Sequence, residues 1–118
     1  MGRNSETPSG PLPGTLYMLI LQTLALGGPQ HGYGIAQRVR TVSDEVLQIE
    51  EGALYPALQR MLAKGWVTAT WELSDNNRRA RFYRLTPEGR EQLHAEVDDF
   101  ERTVGAIVRI IRPRASEG

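Results

Sequence analysis

The pattern of apolar and polar positions divides the chain into helical and strand-like segments. Leu54, Leu58 and Met61 recur with Leu62 at helical spacing, which predicts the buried stripe of a short amphipathic helix. The opposite face carries small residues and two longer polar ones: Gly52, Ala53, Pro56, Gln59, Arg60 and Ala63. Because proline is tolerated only where its missing N–H would be unpaired, helical hydrogen bonding is expected to begin near Ala53.

Residues 66–73, directly after this helix, alternate between apolar and polar positions. Val67, Ala69, Trp71 and Leu73 share one face, which is the pattern of a half-buried strand. Residues 74–77 read Ser-Asp-Asn-Asn and predict a reversal into a return strand over 80–86. The tip and the return strand together hold the strongly basic cluster of the chain: Arg78, Arg79, Arg81 and Arg84.

Two further helices are predicted before the hairpin. The first should begin near Thr15 and end at Gly27, and its interior is apolar almost all round. Such a helix must be covered on two sides, by its own domain and by another subunit. The second should run from about Gly32 to Val42 and make a helix-turn-helix pair with the helix at Gly52. A helix pair followed by a basic hairpin indicates a winged helix-turn-helix, in which the hairpin straddles phosphates while a helix enters a groove.

The last helix has the longest periodic pattern. Thr86 can cap it, Pro87 suits its first position, and Pro113 should end it. Its apolar residues alternate spacings of four and three over nearly three heptads, which predicts a coiled-coil seam between two subunits. The alternative is that this helix packs only against its own domain.

Five blocks of the chain resemble the PadR family of bacterial transcriptional regulators, over about residues 12–111. The blocks are Leu16 to Gly27, His31-Gly32-Tyr33-Gly34-Ile35, Gly52-Ala53-Leu54-Tyr55-Pro56-Ala57-Leu58, Gly65-Trp66-Val67 and Tyr83-Arg84-Leu85-Thr86-Pro87-Glu88-Gly89. The resemblance implies a homodimeric winged-helix protein that binds double-stranded DNA, usually as a repressor, and dimerises through its C-terminal helix. Dimeric helix-turn-helix proteins read half-sites roughly 34 Å apart, so a pseudo-palindromic operator is expected.

The resemblance and the hairpin together give two predicted sets of site residues. The DNA-contacting set is Tyr33, Gly52, Ala53, Tyr55, Pro56, Gln59, Arg60, Asn77, Arg78, Arg79 and Arg81. The dimerisation set is Leu16, Leu93, Val97, Phe100, Val104, Ile107 and Ile111. Glu50 and Glu51 depart from the resemblance, because related sequences often carry neutral residues there. We attribute these acids to a favourable interaction with the positive end of the helix.

The predicted fold class is α+β, mostly α: a winged helix-turn-helix with a long C-terminal dimerisation helix. Four segments are expected along the chain. Residues 1–13 read as a flexible arm, 14–86 as the DNA-binding domain, 87–112 as the dimerisation helix and 113–118 as a tail.

Composition narrows the classes of function. The 118 residues contain no cysteine, which excludes disulfides, zinc fingers and thiol catalysis and fits a reducing cytoplasm. No apolar run reaches the length of a membrane span, so a cytoplasmic protein without membrane contact is expected. The net charge is zero, but acids collect at Asp44, Glu45, Glu50 and Glu51 while the hairpin is basic. Because binding depends on the local field, a neutral total is compatible with a basic DNA face.

The sequence gives no support to catalysis. Neither His31 nor His94 has a companion at metal-ligand spacing or a nucleophile beside it, so no enzyme, metal or cofactor is expected. His31 is expected to cap or pack the second helix. Two alternatives to DNA binding stay open. One is a winged-helix adaptor between proteins, and the other is a regulator that senses a small-molecule effector in the dimer interface, lined by Tyr17 and Phe100.

Overall fold

The computed structural model describes residues 14–112, which form four helices and a three-stranded antiparallel sheet. The elements are α1 (Leu16–Gly27), β1 (Gln30–His31), α2 (Gly32–Val42), α3 (Glu51–Lys64), β2 (Val67–Leu73), β3 (Arg79–Leu85) and α4 (Pro87–Ile111). The sheet order is β1-β3-β2, so the short β1 pairs with β3, the second strand of the hairpin. This arrangement confirms the predicted winged helix-turn-helix with a long C-terminal helix. The predicted arm, the tail and Pro113 lie outside the described residues.

One apolar core joins the helix-turn-helix to the base of the hairpin. Its fully buried side chains come from α1, α2, α3 and β2: Ile20, Leu21, Ile35, Leu54, Leu58, Met61 and Val67. Three members of the predicted α3 stripe therefore lie in the core together with Ala57, and the fourth, Leu62, is half-buried against it. Burial of one large aliphatic side chain stabilises a fold by roughly 1.5–3 kcal/mol, so this core holds α3 against α2 and β2.

The start of α3 agrees with the predicted onset of helical hydrogen bonding near Ala53. The N–H groups of Ala53 and Leu54 both donate to the Glu50 carbonyl at 2.9 Å, and Glu51 is the first residue of the helix. Pro56 therefore lies inside the helix, beyond the first turn. A proline there removes the hydrogen bond to the carbonyl four residues earlier. That carbonyl belongs to Gly52, which is exposed, so water can solvate it.

The hairpin forms as predicted, but its far half stands clear of the core. Val67 pairs with Leu85 at the buried base of the hairpin. From there every second residue of β2 lies on the same face of the sheet as Val67. Trp71 and Leu73, predicted on the buried face, are 60% and 62% exposed. The predicted alternation is correct, but the predicted burial is wrong, because no other layer formed by residues 14–112 covers the outer half of the strands. The tip closes through Asn77, whose φ of 63° suits asparagine.

The N-terminus of α4 is fastened to the corner between α3 and β2. Thr86 Oγ1 accepts from the Gly89 N–H at 2.9 Å and donates to the Gly65 carbonyl at 2.7 Å, which confirms the predicted cap. A Cβ on Gly89 would lie 2.1 Å from the Trp66 carbonyl oxygen, so only glycine fits this approach. The direction in which α4 leaves the domain is therefore set by backbone contacts.

The apolar stripe of α4 divides into two parts. Leu93 is only 4% exposed and belongs to the core of its own domain, which corrects its assignment to a subunit seam. Val97 and Phe100 are half-buried against that core, mainly through α1. Ile107 and Ile111, by contrast, are 48% and 64% exposed. A helix of 25 residues is about 37 Å long, and its last turns extend past the domain with their apolar side chains uncovered.

Candidate nucleic-acid interface

A cleft of about 1050 Å³ lies between the outer half of the hairpin and the start of α2, with Tyr55 of α3 at its base. The hairpin contributes residues from both strands and the tip, and α2 contributes its first turn, Gln37 and Arg38. Four arginines line the cleft against one acid, Asp75: Arg38, Arg78, Arg79 and Arg81. The cleft is therefore basic although the chain as a whole is neutral, as the segregation of charge in the sequence predicts.

The four arginines of the predicted basic cluster do not act together. Arg79 and Arg81 lie on one face of β3, and Arg78 adjoins them at the tip. Arg84 lies on the other face, where its guanidinium contacts Glu72 at 2.9 Å. A hydrogen bond from Thr70, supported by Arg84, lowers the pKa of Glu72 and keeps this carboxylate charged. Arg84 is thus partly neutralised, and three arginines of the hairpin remain to face a ligand.

Aromatic side chains accompany these arginines. The Arg79 guanidinium lies 5.4 Å from the centroid of the Trp71 ring, on the face that borders the cleft. Across the cleft, Tyr33 is 65% exposed and stacks near His31 with ring centroids 6.4 Å apart. His31 itself caps α2, since its Nδ1 accepts from the Gly34 N–H at 3.0 Å, and this confirms its predicted structural role. Exposed aromatic rings beside arginines suit contact with the sugar and phosphate of a duplex.

Tyr55 links α3 to the cleft. Its ring packs directly on Gly32, where an added Cβ would lie 2.7 Å from both Cε1 and the hydroxyl oxygen of the tyrosine. Glycine at this position therefore allows the two helices to approach. Burial, followed by the charges of Glu51 and Tyr83, raises the pKa of the Tyr55 hydroxyl above its usual value. Like an ordinary tyrosine hydroxyl, it is protonated at neutral pH, so it can donate a hydrogen bond to an anionic oxygen.

The outer face of α3 is exposed as the sequence predicts, but one of its two long polar side chains is engaged elsewhere. Gly52, Ala53, Pro56 and Gln59 all lie at the surface. Arg60 Nε donates to the Tyr17 hydroxyl of α1, and the guanidinium lies 5.6 Å from the centroid of the Tyr17 ring. Arg60 is thereby held on the α1 side of α3, away from the cleft. Its predicted role in base contact is not supported by this geometry.

Sequence reasoning missed three residues of this surface. Gln37 and Arg38 lie on α2, and their position opposite the hairpin depends on how α2 packs against the sheet. Trp71 was assigned to the core because of its place in the alternation. The available signal was weak in each case, since only the tertiary arrangement brings α2 and the hairpin together.

The aromatic residues suggested for an effector pocket are used in packing within the protomer. Tyr17 meets Trp66 edge-on, with ring centroids 5.8 Å apart, and also holds Arg60. Phe100 packs against the core from α4. Among residues 14–112, no group of three or more histidine, cysteine or acidic residues is placed to hold a metal ion. The same part of the chain has no helix long and apolar enough to cross a membrane.

Comparison with known proteins agrees with this geometry. The model of the transcriptional regulator PadR-like family matches residues 20–95. An uncharacterized 37.1 kDa protein in a transposon of Streptomyces fradiae is 39% identical over 90 residues, which are 76% of this chain but only 24% of that protein. Among solved structures, a transcriptional regulator from Clostridium thermocellum is 28% identical with a TM-score of 0.75, covering 84% of this chain and 95% of that one. A PadR family transcriptional regulator from Eggerthella lenta is 25% identical with a TM-score of 0.68, covering 86% and 85%.

The fold and the arginine-lined cleft define a winged helix-turn-helix protein. Within that class, the chain belongs to the PadR-like family of transcriptional regulators, as the matched residues and the shared fold show. Members of this family are regulators and not enzymes, so the expectation of a non-catalytic protein is confirmed.

Proposed function

We propose that this regulator binds a pseudo-palindromic DNA operator as a homodimer and represses transcription from it. The observation that supports DNA binding most strongly is the cleft, where three arginines of the hairpin and Arg38 of α2 face one another beside the exposed N-terminal half of α3. In this proposal the hairpin is the wing, whose arginines contact phosphates. The start of α3 enters the major groove, where its residues approach base edges.

The cleft suits the phosphate backbone that runs between these two elements. Arginine guanidinium groups form charge-assisted, often bidentate hydrogen bonds with phosphate oxygens. The Tyr55 hydroxyl is a further donor at the same place, and the positive end of the α2 helix dipole lies beside it. Of the predicted DNA contacts, Tyr33, Tyr55, Arg78, Arg79 and Arg81 border the cleft. Gly52, Ala53, Pro56 and Gln59 form the groove-facing side of α3, and Asn77 shapes the wing tip.

The homodimer is supported by the outer half of α4. Ile107, Val108, Ile110 and Ile111 are between 42% and 76% exposed on the protruding turns, and Leu26 at the end of α1 is 73% exposed. A second copy would cover these side chains and align two wings and two α3 helices on one face of a duplex. Leu16, Val97, Phe100 and Val104 lie on the inner part of the same surface, between the domain core and the protruding turns.

DNA recognition is favoured over the two alternatives. An adaptor between proteins does not explain why four arginines converge on one cleft. A dedicated effector pocket in the dimer interface is disfavoured because Tyr17 and Phe100, the two aromatic residues suggested to line it, pack within the protomer. Selection of bound sequences from a random duplex pool tests the proposal. The expected result is an inverted repeat with half-site centres about 10 base pairs apart or a multiple of that spacing. The proposal would be contradicted if no sequence is enriched and the protein binds the duplex pool weakly or not at all.

A further inference from the structure

The exposed side of α3 carries one ridge of long side chains. Glu51, Tyr55 and Gln59 lie four residues apart, so they follow one another along a single row of the helix, and all three are exposed. Tyr55 fixes the direction of this row, because it lines the cleft with the wing arginines. The effect of the Glu51 charge on the Tyr55 pKa is consistent with their closeness on one helical face. Glu51 therefore stands at the N-terminal end of the row, ahead of Tyr55.

From this placement we infer that Glu51 is a specificity-determining residue that accepts a hydrogen bond from the N4 amino group of a cytosine in the operator. The inference rests on the proposed function, since it places the start of α3 in the major groove. Residues at the N-terminus of a recognition helix contact base edges most directly. Around Glu51, the neighbouring groove-facing residues Gly52, Ala53 and Pro56 have no side-chain hydrogen-bonding group. The carboxylate of Glu51 is thus the polar group best placed to read a base at this end of the helix.

The chemistry of a carboxylate selects the base. An ionised carboxylate only accepts hydrogen bonds, and the major groove presents donors only at cytosine N4 and adenine N6. Adenine carries its N7 acceptor beside N6, which suits a side-chain amide and repels a carboxylate. Cytosine is therefore the matching base. A guanine or thymine at that position would set an acceptor against the negative charge, so the wrong base is rejected by repulsion as well as by a lost hydrogen bond.

The charge of Glu51 is not neutralised within the protein. The ion pairs among residues 14–112 use Glu45, Glu72 and Asp99 as their acidic partners. An unpaired acid facing DNA weakens general attraction to phosphates, and discrimination between bases would offset this cost. Glu50, one residue earlier, provides a matched control. It has the same charge but caps α3 without a side-chain hydrogen bond, and it lies about 100° around the helix from Glu51.

The test compares sequences selected from a random duplex pool by the natural protein, Glu51→Gln and Glu50→Gln. The natural protein should enrich cytosine at one symmetric position of each half-site. Glu51→Gln should shift that position toward adenine, because glutamine pairs with adenine N6 and N7. Fluorescence anisotropy should then show that the natural protein prefers cytosine by about tenfold at that position and that Glu51→Gln loses this preference. Glu50→Gln should keep the cytosine.

The outcomes of this selection distinguish a failure of the Glu51 inference from a failure of the proposed function. Both substitutions remove one negative charge, so both should strengthen binding to random duplex, and equal thermal stability would show that both variants fold. If Glu51→Gln selects the same bases as the natural protein, Glu51 does not read a base and the inference is wrong, while the proposed function stands. If the natural protein enriches no sequence at all, the proposed function fails and the inference falls with it.

Discussion

Replacement of the wing arginines should change the salt dependence of DNA binding in a way that the structure specifies. Arg78, Arg79 and Arg81 border the cleft, so a triple alanine variant should lose as many as three phosphate contacts per chain. Each lost contact lowers the slope of log affinity against log salt by about 0.9, so the slope should become shallower by about 2.7 per chain and about 5 per dimer. Affinity should fall for operator and random duplex alike, because phosphate contacts carry no sequence information directly.

Arg84→Ala is the matched control for this experiment. It removes one arginine of the same hairpin, but Arg84 lies on the opposite face of β3 and contacts Glu72. Its slope should therefore stay within about one unit of the natural value, which corresponds to one phosphate contact. Fluorescence anisotropy with a labelled duplex across a salt series measures each slope, and circular dichroism checks that the variants fold. If Arg84→Ala lowers the salt slope as much as the triple variant does, the cleft-facing arginines are not the set that contacts phosphates.

Three further predictions concern the dimer, the packing of α4 and the α3–α2 contact. Ile107→Glu with Ile111→Glu should give a folded monomer in light scattering, because burying four unpaired charges per dimer costs several kcal/mol and neither side chain supports the domain core; a dimer that persists would contradict the role of these turns. Gly89→Ala should lower the free energy of unfolding in urea by about 2 kcal/mol or more, because the added methyl meets backbone, whereas Gly105→Ala has space, its nearest contact being 3.7 Å away, and should not destabilise. Tyr55→Phe keeps the ring on its partner helix and should weaken binding to all duplexes by a similar factor in anisotropy, and a change confined to one base pair would show that the hydroxyl contacts a base instead.

Much of the fold could be predicted from local patterns. The helices, the hairpin and the cap at Thr86 each depend on residues close in sequence, and each was found within a few residues of its expected bounds. The two-residue β1 was missed because so short a strand has no periodicity, and it forms only through pairing with β3. Pro56 lies beyond the first turn, where a proline is not expected from the sequence, because the cost of an internal proline is reduced where the carbonyl left without a partner is exposed.

The candidate site was less predictable, because its members come together through tertiary contacts. The sequence placed Arg60 correctly on the outer face of α3 but could not show that Tyr17, 43 positions away, holds it. It grouped Arg84 with the other arginines, although strand alternation turns Arg84 to the opposite face. The exposure of Trp71 depends on how far the hairpin extends beyond the core, which no local pattern encodes.

The most direct test of the central claim is the stoichiometry of the protein on its own selected operator. Sedimentation velocity with a fluorescently labelled duplex, at a salt concentration where random duplex no longer binds, measures how many chains occupy one site. The account predicts two chains bound together on one inverted repeat, with no stable complex of one chain. A complex of a single chain, or protein that sediments apart from the duplex, would contradict it.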